Sequence, residues 1–412
     1  MTNDRPQPLI PKLRFPEFAR DPAWDCATVA DLVDTVTPPR KLSSATYLPD
    51  GRFPIIDQSQ SYICGWTNDD GAIITKPLPV IVFGDHTCVL KFVVQPFAQG
   101  ADGIKIVAAR GTVLTAYLYY QLSHRPLVPK QYKRHFSALK NRMVWFPNPR
   151  SGEQKKIVDC LGSLDDLIAA EGQKLDALRT HKHGLMQQLF PQPGEIMPKL
   201  RFPEFRKAAE WRTKILGTQG RFLSSLTGKT AKDFDTGSSV FVPYMNVFSN
   251  TFTDTANLRS VNVTEGDSQN AVTKGDVFFT VSSETPEEAG MSSVLLDEIG
   301  NCYLNSFCAL FRFDEGKSPD PVFLGYLLRS APAREHLSRG AQGATRYNIS
   351  RATFRNLPIL IPSDPEQQKI ADCLDSLNNL IAARGRKIEF LLQHKQGLMQ
   401  QLFPCLKTNE DY

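Results

Sequence analysis

Residues 153–191 read EQKKIVDCLGSLDDLIAAEGQKLDALRTHKHGLMQQLFP, and residues 366–404 read EQQKIADCLDSLNNLIAARGRKIEFLLQHKQGLMQQLFP. The two segments align without a gap and are identical at about two thirds of their positions, a repeat too long for chance. A shorter repeat supports the same division, because PKLRFPEF at residues 11–18 returns at residues 198–205. The sequence therefore predicts two tandem units that open and close alike.

The segments enclosed by these repeats differ from each other. Trp24 and Trp211 follow the two copies of the shorter repeat at the same distance. Beyond them, residues 25–133 and 212–346 differ in length and show no comparable similarity. A repeated frame with unlike inserts suits a protein that presents two different recognition surfaces, whereas a duplicated enzyme would more naturally repeat its chemistry.

Each long repeat has the pattern of one continuous helix. Its apolar positions alternate in steps of four and three, which is a heptad seam, and prolines stand before and after each copy. Some 37 residues at about 1.5 Å rise give a rod of roughly 55 Å. Because a rod with one apolar stripe needs a partner, we expect the two copies to pack as an antiparallel coiled coil about a pseudo-twofold axis. The predicted interface positions are Ile157, Leu161, Leu164, Ile168 and Glu171 in the first copy, and Ile370, Leu374, Leu377, Ile381 and Arg384 in the second.

Glu171 and Arg384 hold the same central position with opposite charge. Two interpretations stay open from the sequence. The residues pair across the axis, or each is a solvated edge of the seam that contributes about 0 to 1 kcal/mol.

Composition limits the class of protein. With 412 residues, of which 41% are hydrophobic and 22% charged, the chain can bury the cores of two globular domains. The net charge of +5 permits a nucleic-acid partner without requiring one. No apolar run approaches a membrane span and the N-terminus lacks the plan of a signal peptide, so we expect a soluble, cytoplasmic protein. The cysteines and histidines form no spacing typical of a metal site or a disulfide framework, so no metal is predicted.

The two inserts are predicted to be mixed α/β (α+β). Apolar, β-branched runs indicate strands near residues 53–56, 79–83, 89–94 and 103–107 of the first insert, and near 240–244, 276–280, 293–296, 302–304 and 309–313 of the second. Helices are expected near residues 114–122 and 322–328. The predicted domains are residues 1–150, the first recognition domain; 151–192, the central long helix; 193–362, the second recognition domain; 363–404, the distal long helix; and 405–412, a tail.

Several motifs, found together and in order, resemble those of the DNA-specificity subunit of type I restriction-modification systems. They are the PKLRFPEF opening, FGDHT and GADGIK in residues 83–105, KGDVFFTVSSETPEEAG in residues 274–290, TRYNIS in residues 345–350, and the helices that end in GLMQQLFP. The likeness spans nearly the whole chain.

The resemblance implies two target-recognition domains, each of which reads one half of a bipartite, asymmetric site in double-stranded DNA. It implies that the long helices set the spacer and dock two methyltransferase (modification) subunits, and that restriction (endonuclease and translocase) subunits then join. S-adenosylmethionine and ATP would be bound by those partners, and this chain would bind no cofactor. If both domains approach one face of the duplex, the half-sites lie near one helical turn, about 34 Å, apart. Insertions around Gly172 are then expected to change only the unread spacer.

Catalytic motifs are not found in the sequence. The glycine-rich loop and the Asn-Pro-Pro-Tyr type motif of an amino-methyltransferase are missing, and the LTGKT segment at residues 226–230 has Leu223 where a phosphate loop requires its first glycine. Glu153 and Lys155 have the spacing of a nuclease half-motif, but a glutamate at a helix start is the simpler interpretation. The chain is therefore predicted to be a non-catalytic subunit.

Candidate DNA contacts are polar residues with basic or aromatic neighbours in predicted loops. The Thr280–Glu284 segment is the most suggestive, since hydroxyl groups and a carboxylate can read base edges. For each residue the alternative is a solvated surface side chain. The candidates are Arg40, Lys41, Ser43, His86, Lys91, Lys105, Lys130, Lys133 and Arg134 in the first domain, and Lys229, Thr230, Ser282, Ser283, Glu284, Arg346 and Tyr347 in the second.

Two other classes of function stay open. A stand-alone, duplicated DNA-binding adaptor would explain the repeat without modification subunits. A single-chain enzyme is the weaker alternative, because it would have to transfer a methyl group to DNA by itself.

Overall fold

The computed structural model describes residues 9–101, 103–129, 133–264 and 266–404. Lys130 and the predicted tail at 405–412 lie outside the described residues. The chain divides into two compact units, Met1–Gly172 with Arg386–Tyr412, and Gln173–Gly385. The borders of these units fall inside the two long helices, so the domain boundaries drawn from the sequence stay predictions.

The helices begin and end close to the predicted positions. The long α4 begins at Glu153, where Ser151 Oγ accepts a hydrogen bond from Glu153 N at 3.2 Å, and ends before Pro191. The long α9 ends before Pro404. The helices are α1 (Val29–Leu32), α2 (Thr115–His124), α3 (Phe136–Lys140), α4 (Glu153–Leu189), α5 (Tyr244–Ser249), α6 (Pro321–Leu328), α7 (Ala331–Arg339), α8 (Arg351–Arg355) and α9 (Asp364–Leu402). Short 3-10 turns lie at Pro16–Phe18, Ser44–Thr46, Asp70–Ala72, Pro203–Phe205, Leu216–Thr218 and Ala231–Asp233.

The first unit contains an antiparallel four-stranded sheet, a mixed four-stranded sheet and a two-stranded ribbon. The strands are β1 (Asp25–Thr28), β2 (Val33–Val36), β3 (Phe53–Ile56), β4 (Gly65–Thr67), β5 (Ile73–Ile74), β6 (Val80–Gly84), β7 (Leu90–Val93), β8 (Phe97–Gln99), β9 (Ile104–Ala109) and β10 (Met143–Phe146). The strand orders of the three sheets are β2-β9-β6-β7, β4-β3-β8-β5 and β1-β10. Helix α2 covers the first sheet, and its Tyr117 and Leu118 are fully buried in the main core.

The strands of the second unit are β11 (Arg212–Ile215), β12 (Gly220–Leu223), β13 (Phe234–Val242), β14 (Arg259–Val261), β15 (Val277–Thr280), β16 (Ser282–Ser283), β17 (Ser292–Val294), β18 (Cys302–Leu304), β19 (Cys308–Phe313), β20 (Ala341–Gln342), β21 (Tyr347–Ile349) and β22 (Pro358–Ile361). They form sheets that correspond to those of the first unit, with the orders β12-β19-β15-β17, β14-β13-β18 and β11-β22, and a further small sheet, β16-β21-β20. The predicted mixed α/β class and the predicted strands of both inserts are confirmed.

A buried ion pair fastens the repeated opening to the start of α4 in the first unit. The Arg14 guanidinium donates from Nε and Nη2 to Glu153 Oε1 and Oε2 at 2.8 and 2.7 Å, and Trp24 Nε1 donates to Oε2 at 3.3 Å. The two charged side chains are 7% and 1% exposed. Hydrogen bonding to Glu153 raises the pKa of Arg14 despite burial.

The second unit repeats this anchor. Arg201 Nε and Nη2 donate to Glu366 Oε1 and Oε2 at 2.6 Å each, and Trp211 Nε1 donates to Oε1 at 3.3 Å. The exposed fractions, 7% and 1%, equal those of the first pair. Sequence reasoning missed both anchors, although the co-repetition of arginine, tryptophan and glutamate was the signal that could have found them.

Within the first unit, the beginning of α4 packs on the end of α9. Ile157 and Leu161 share a core with Leu402 and Phe403. Further along α4, Lys395 Nζ donates to Asp165 Oδ1 at 2.5 Å and Lys387 Nζ donates to Glu171 Oε1 at 3.0 Å.

Within the second unit, the beginning of α9 packs on the end of α4. Ile370 and Leu374 share a core with Leu189 and Phe190. Lys182 Nζ donates to Asn378 Oδ1 at 2.6 Å, and burial lowers the pKa of Lys182.

The predicted seam residues lie in buried or half-buried positions. Glu171 is 2% exposed, and the predicted pair of Glu171 with Arg384 joins residues of different units and stays a prediction. Ile157, Leu161, Ile370 and Leu374 are buried, whereas Leu164, Ile168, Leu377, Ile381 and Arg384 are half-buried.

Among the helices of the described ranges, none is both long and apolar enough to cross a membrane.

Candidate nucleic-acid interface

Four candidates of the first unit come together beside α3. The buried Asp85 carboxylate accepts hydrogen bonds from His135 N and Phe136 N at 2.9 and 2.8 Å, which holds the turn after β6 against the start of α3. His86 lies in that turn, and the Lys105 ammonium is 5.7 Å from the centre of the Phe136 ring. The exposed residues Lys133 and Arg134 lead into the same helix. The structure therefore gathers His86, Lys105, Lys133 and Arg134, which are distant in sequence, into one cluster.

Arg40, Lys41 and Ser43 form a second exposed group. They flank Leu42, whose backbone N donates to Gln99 O at 3.0 Å, so the segment runs beside the end of β8. Arg40 pairs with Asp69 and both side chains stay accessible, which leaves this guanidinium available to an anionic ligand.

Lys91 lies inside the first unit. Its Nζ donates to Asp57 O at 2.8 Å and to Ser61 O at 2.5 Å, and the residue is 4% exposed. Burial lowers the pKa of the Lys91 ammonium. The side chain thus holds a loop from within, an arrangement that the local sequence did not indicate.

In the second unit, strand pairing brings the Thr280–Glu284 segment beside TRYNIS. Ser282 pairs with Asn348 and Ser283 with Tyr347 across β16 and β21. The two serines are buried, each 6% exposed, and Ser283 Oγ donates to Glu288 Oε2 at 3.2 Å.

Of the predicted contacts at this edge of the second unit, Glu284 and Arg346 are exposed and Tyr347 is half-buried, and Asn348 is exposed beside them. Hydroxyl groups that sequence reasoning placed at a surface therefore support the edge instead, while the carboxylate and the guanidinium face outward.

Arg334 of α7 fixes the loop that follows Glu284. Its guanidinium donates to Gly290 O at 2.7 Å, to Glu287 O at 2.7 Å and to Ala289 O at 2.6 Å. Burial lowers the pKa of Arg334 to about 10. Sequence reasoning missed this residue, because carbonyl partners some 45 positions away leave no local pattern.

A concave groove of about 900 Å³ opens in the second unit and contains the predicted residues Lys229 and Thr230. Lys229 Nζ donates to Asp267 Oδ2 at 2.6 Å, and this bond, together with those from Thr264, lowers the pKa of Asp267 to about 2. Thr230 caps the turn Ala231–Asp233. The groove is also lined by residues that the sequence did not single out, namely Arg259, Asn305, Ser306, Phe307 and Arg351.

The groove contains several kinds of polar group, and one of its guanidinium groups, that of Arg259, is paired with Asp235 in the same lining. Guanidinium and hydroxyl groups can bind phosphate oxygens, and side-chain amides can bind base edges. Across the described ranges, no group of three or more His, Cys, Asp or Glu side chains is placed to hold a metal ion.

Comparison with known proteins gives a consistent result. Residues 225–392 match the family model of the type I restriction modification DNA specificity domain. The type I restriction enzyme MjaVIII specificity subunit of Methanocaldococcus jannaschii is 24% identical over 276 residues, which are 67% of this chain and 64% of that protein. The chain thus matches slightly less than two thirds of the length of this curated relative.

Solved structures share the fold at low sequence identity. The crystal structure of the type I restriction-modification S subunit from M. genitalium has a TM-score of 0.61 at 14% identity, over 97% of this chain and 100% of that one. A chain from a structure of a type I restriction-modification system, solved to explain complex assembly and conformational transition, has a TM-score of 0.54 at 16% identity, over 93% and 98% of the two chains. The family match over residues 225–392 and the named relative confirm the resemblance that the motifs of this chain show to type I restriction-modification DNA-specificity proteins.

Proposed function

We propose that this chain is the non-catalytic DNA-specificity subunit of a type I restriction-modification complex. Each unit carries one recognition domain, and each domain reads one half of a bipartite, asymmetric site in double-stranded DNA. The observation that carries the proposal is the duplicated frame, in which two identical anchors, Arg14 with Glu153 and Arg201 with Glu366, support inserts of unlike sequence. One domain can read only a few base pairs, so a longer site needs two.

The long helices are proposed to form an antiparallel coiled coil about a pseudo-twofold axis. In the first unit, Asp165 of α4 contacts Lys395 of α9, and Glu171 of α4 contacts Lys387 of α9. The residue numbers of these contacts rise along α4 and fall along α9, as they do in an antiparallel pair. The second unit repeats the first of these contacts with Lys182 and Asn378. Such a pair would hold the recognition domains at a fixed distance and present two equivalent docking faces, one for each methyltransferase subunit.

The exposed candidates are proposed to contact DNA and the buried ones to shape the surface. In the first domain the contacts are assigned to Arg40, Lys41, Ser43, Lys133 and Arg134, with the half-buried His86 and Lys105 beside them. In the second they are assigned to Glu284, Arg346 and Tyr347, together with the groove residues Thr230, Arg259 and Arg351. Lys91, Ser282 and Ser283 are assigned supporting roles because they are buried. Lys229 is assigned the same role, because its side chain is 8% exposed and its ammonium is bound to Asp267.

The proposal places the chemistry on partner subunits. S-adenosylmethionine would bind to the two methyltransferase subunits and ATP to the restriction subunits that join them. Because the substrate is the DNA of the cell, the proposal includes a cytoplasmic location.

Methylation mapping tests this function. The methyltransferase subunit of the same operon is expressed with and without this chain in cells that lack adenine methylation, and methylated adenines are located across the genome. We expect a bipartite motif that appears only when the chain is present. The same motif without the chain, or no motif although both proteins are made, would contradict the proposal. If the chain binds DNA but does not co-elute with the methyltransferase subunit, the adaptor interpretation is favoured instead.

A further inference from the structure

We propose that Phe307 contacts the methyl group of a thymine in the second half-site and thereby determines one position of the recognised sequence. The inference rests on the proposed function, which assigns this domain to DNA but assigns no apolar contact. Phe307 lies in the turn between β18 and β19, and the residue is 58% exposed. An exposed phenylalanine leaves a large apolar area in water unless a ligand covers it.

The turn holds the backbone of Phe307 in place. Phe307 N donates to Asn305 Oδ1 at 2.9 Å, and Cys308 N donates to Asn305 O at 3.0 Å. Phe307 O accepts a hydrogen bond from Val281 N at 3.1 Å. With its backbone N–H and C=O both paired, the residue presents its ring from a fixed support.

The support also ties Phe307 to the edge that carries the candidate contacts. Val281 lies between β15 and β16, within the Thr280–Glu284 segment, and its carbonyl oxygen accepts a hydrogen bond from Ile349 N at 2.9 Å. The backbone of Phe307 is therefore bound to the segment that pairs with TRYNIS, where Arg346 is exposed.

The groove around Phe307 identifies the class of ligand. Arg259 and Arg351 line it together with Ser306 and Asn305, so the apolar ring lies among cations and hydrogen-bonding groups. Arg259 is paired with Asp235, which lines the groove as well, and both side chains of this pair are more than half exposed, so the surface around the ring is charged and accessible. A purely apolar partner would have to desolvate this charged surface, which is costly. DNA offers phosphates for the cations, base edges for the amide and hydroxyl, and the thymine C5-methyl group as an apolar contact for a phenylalanine.

The test combines a protein change with a DNA change. The half-sites are first identified by methylation mapping with wild-type chain, and Phe307→Ala and Phe307→Tyr chains are then compared in the intact complex. We expect Phe307→Ala to relax one thymine position of the motif and to weaken cognate binding by about 10- to 100-fold, while Phe307→Tyr, which keeps the ring, retains most of the affinity. Uracil at that position is expected to weaken binding by wild-type chain and to leave binding by Phe307→Ala unchanged.

Ile10→Ala is the control, because Ile10 is 64% exposed and lies in the opening segment of the other unit, outside the long helices and the inserts. It is expected to leave the motif and the cognate affinity unchanged. Thermal unfolding shows whether Phe307→Ala is folded. If it is not, the uracil substitution tested with wild-type chain still decides the question, because undiminished binding would refute the thymine contact.

Two negative outcomes are distinguishable. If wild-type chain directs a bipartite motif and the Phe307 variants direct the same motif with the same affinity, the thymine contact is refuted while the proposed function stands. If wild-type chain directs no motif, the proposed function and this inference both fail.

Discussion

Replacing Arg14 with alanine is expected to destabilise the first unit by about 3 to 5 kcal/mol, the cost of leaving one member of a buried ion pair without its partner. Glu153 is 1% exposed, and after the substitution it would keep only the hydrogen bond from Trp24 Nε1 at 3.3 Å. The guanidinium also donates to Asp21 O at 2.7 Å, and that bond would be lost as well. The expected loss is a large part of the total stability of a typical domain.

Urea unfolding followed by tryptophan fluorescence measures this loss. The indole of Trp24 lies on the Arg14 anchor and that of Trp211 lies on the equivalent Arg201 anchor, so emission reports on both. Arg201→Ala is the matched variant, and we expect a loss of the same size because the second anchor has the same exposure and hydrogen bonds of similar length. Lys155→Ala is the control, since its ion pair with Asp159 is exposed at 74% and 59% and is expected to contribute less than about 1 kcal/mol.

A double variant separates the ion pair from simple packing. Arg14→Met with Glu153→Leu removes both charges, and we expect it to recover most of the stability lost in Arg14→Ala, because no buried charge is left without a partner. The reasoning would be refuted if Arg14→Ala unfolded within about 0.5 kcal/mol of wild type, or if the double variant were as unstable as the sum of its single changes.

Three further predictions concern charges elsewhere in the chain. Asp165→Asn is expected to destabilise the first unit by about 1 kcal/mol, because Lys395 would then contact a neutral amide, as Lys182 contacts Asn378. Asn378→Asp is expected to stabilise the second unit by a similar amount. Urea unfolding measures both changes in the free energy of unfolding, and changes of the same sign would contradict the equivalence of the two contacts. The folded-state pKa of Asp267, about 2, lies below the ordinary aspartate value, so its contribution to stability is complete above about pH 4 and is lost as pH falls through 2. The unfolding temperature should therefore fall less between pH 5 and pH 2 in Asp267→Asn than in wild type. Parallel plots of unfolding temperature against pH for the two proteins would contradict this prediction. Arg346→Ala is expected to lower the magnitude of the slope of log DNA affinity against log salt concentration by about one. Lys155→Ala is the control and is expected to leave the slope unchanged. An unchanged slope in Arg346→Ala would refute the proposed phosphate contact of Arg346.

Much of the fold could be predicted because its signals are local. The heptad seams and flanking prolines indicated α4 and α9 within a few residues, and apolar β-branched runs indicated strands such as β6 and β19. The ribbons β1-β10 and β11-β22 were missed, because each joins a polar strand such as Asp25–Thr28 to a partner more than a hundred residues away. Long-range pairing of this kind leaves no periodicity in either segment.

The candidate site was harder to predict, because exposure depends on tertiary contacts. Lysine is mostly exposed in proteins, which favoured Lys91 as a DNA contact, yet backbone carbonyl groups of Asp57 and Ser61 surround its ammonium. Phe307 was not selected, because the candidates were chosen as polar residues in predicted loops, and its exposure follows from the turn that the structure forms there. Strand pairing, which places Ser282 and Ser283 inside and Arg346 outside, could not be deduced from either motif alone.

The central claim is that a pair of helices holds two independent readers at a set distance along DNA. Its most direct test inserts one heptad after Gly172 in α4 and one at the equivalent place after Gly385 in α9, and maps the methylated motif directed by the altered chain. Seven residues at about 1.5 Å rise lengthen the pair by about 10.5 Å, which corresponds to roughly three base pairs at 3.4 Å each. We expect both half-sites to be unchanged and the unread spacer to grow by about three base pairs. An unchanged spacer in an active complex, or an altered half-site, would contradict the account.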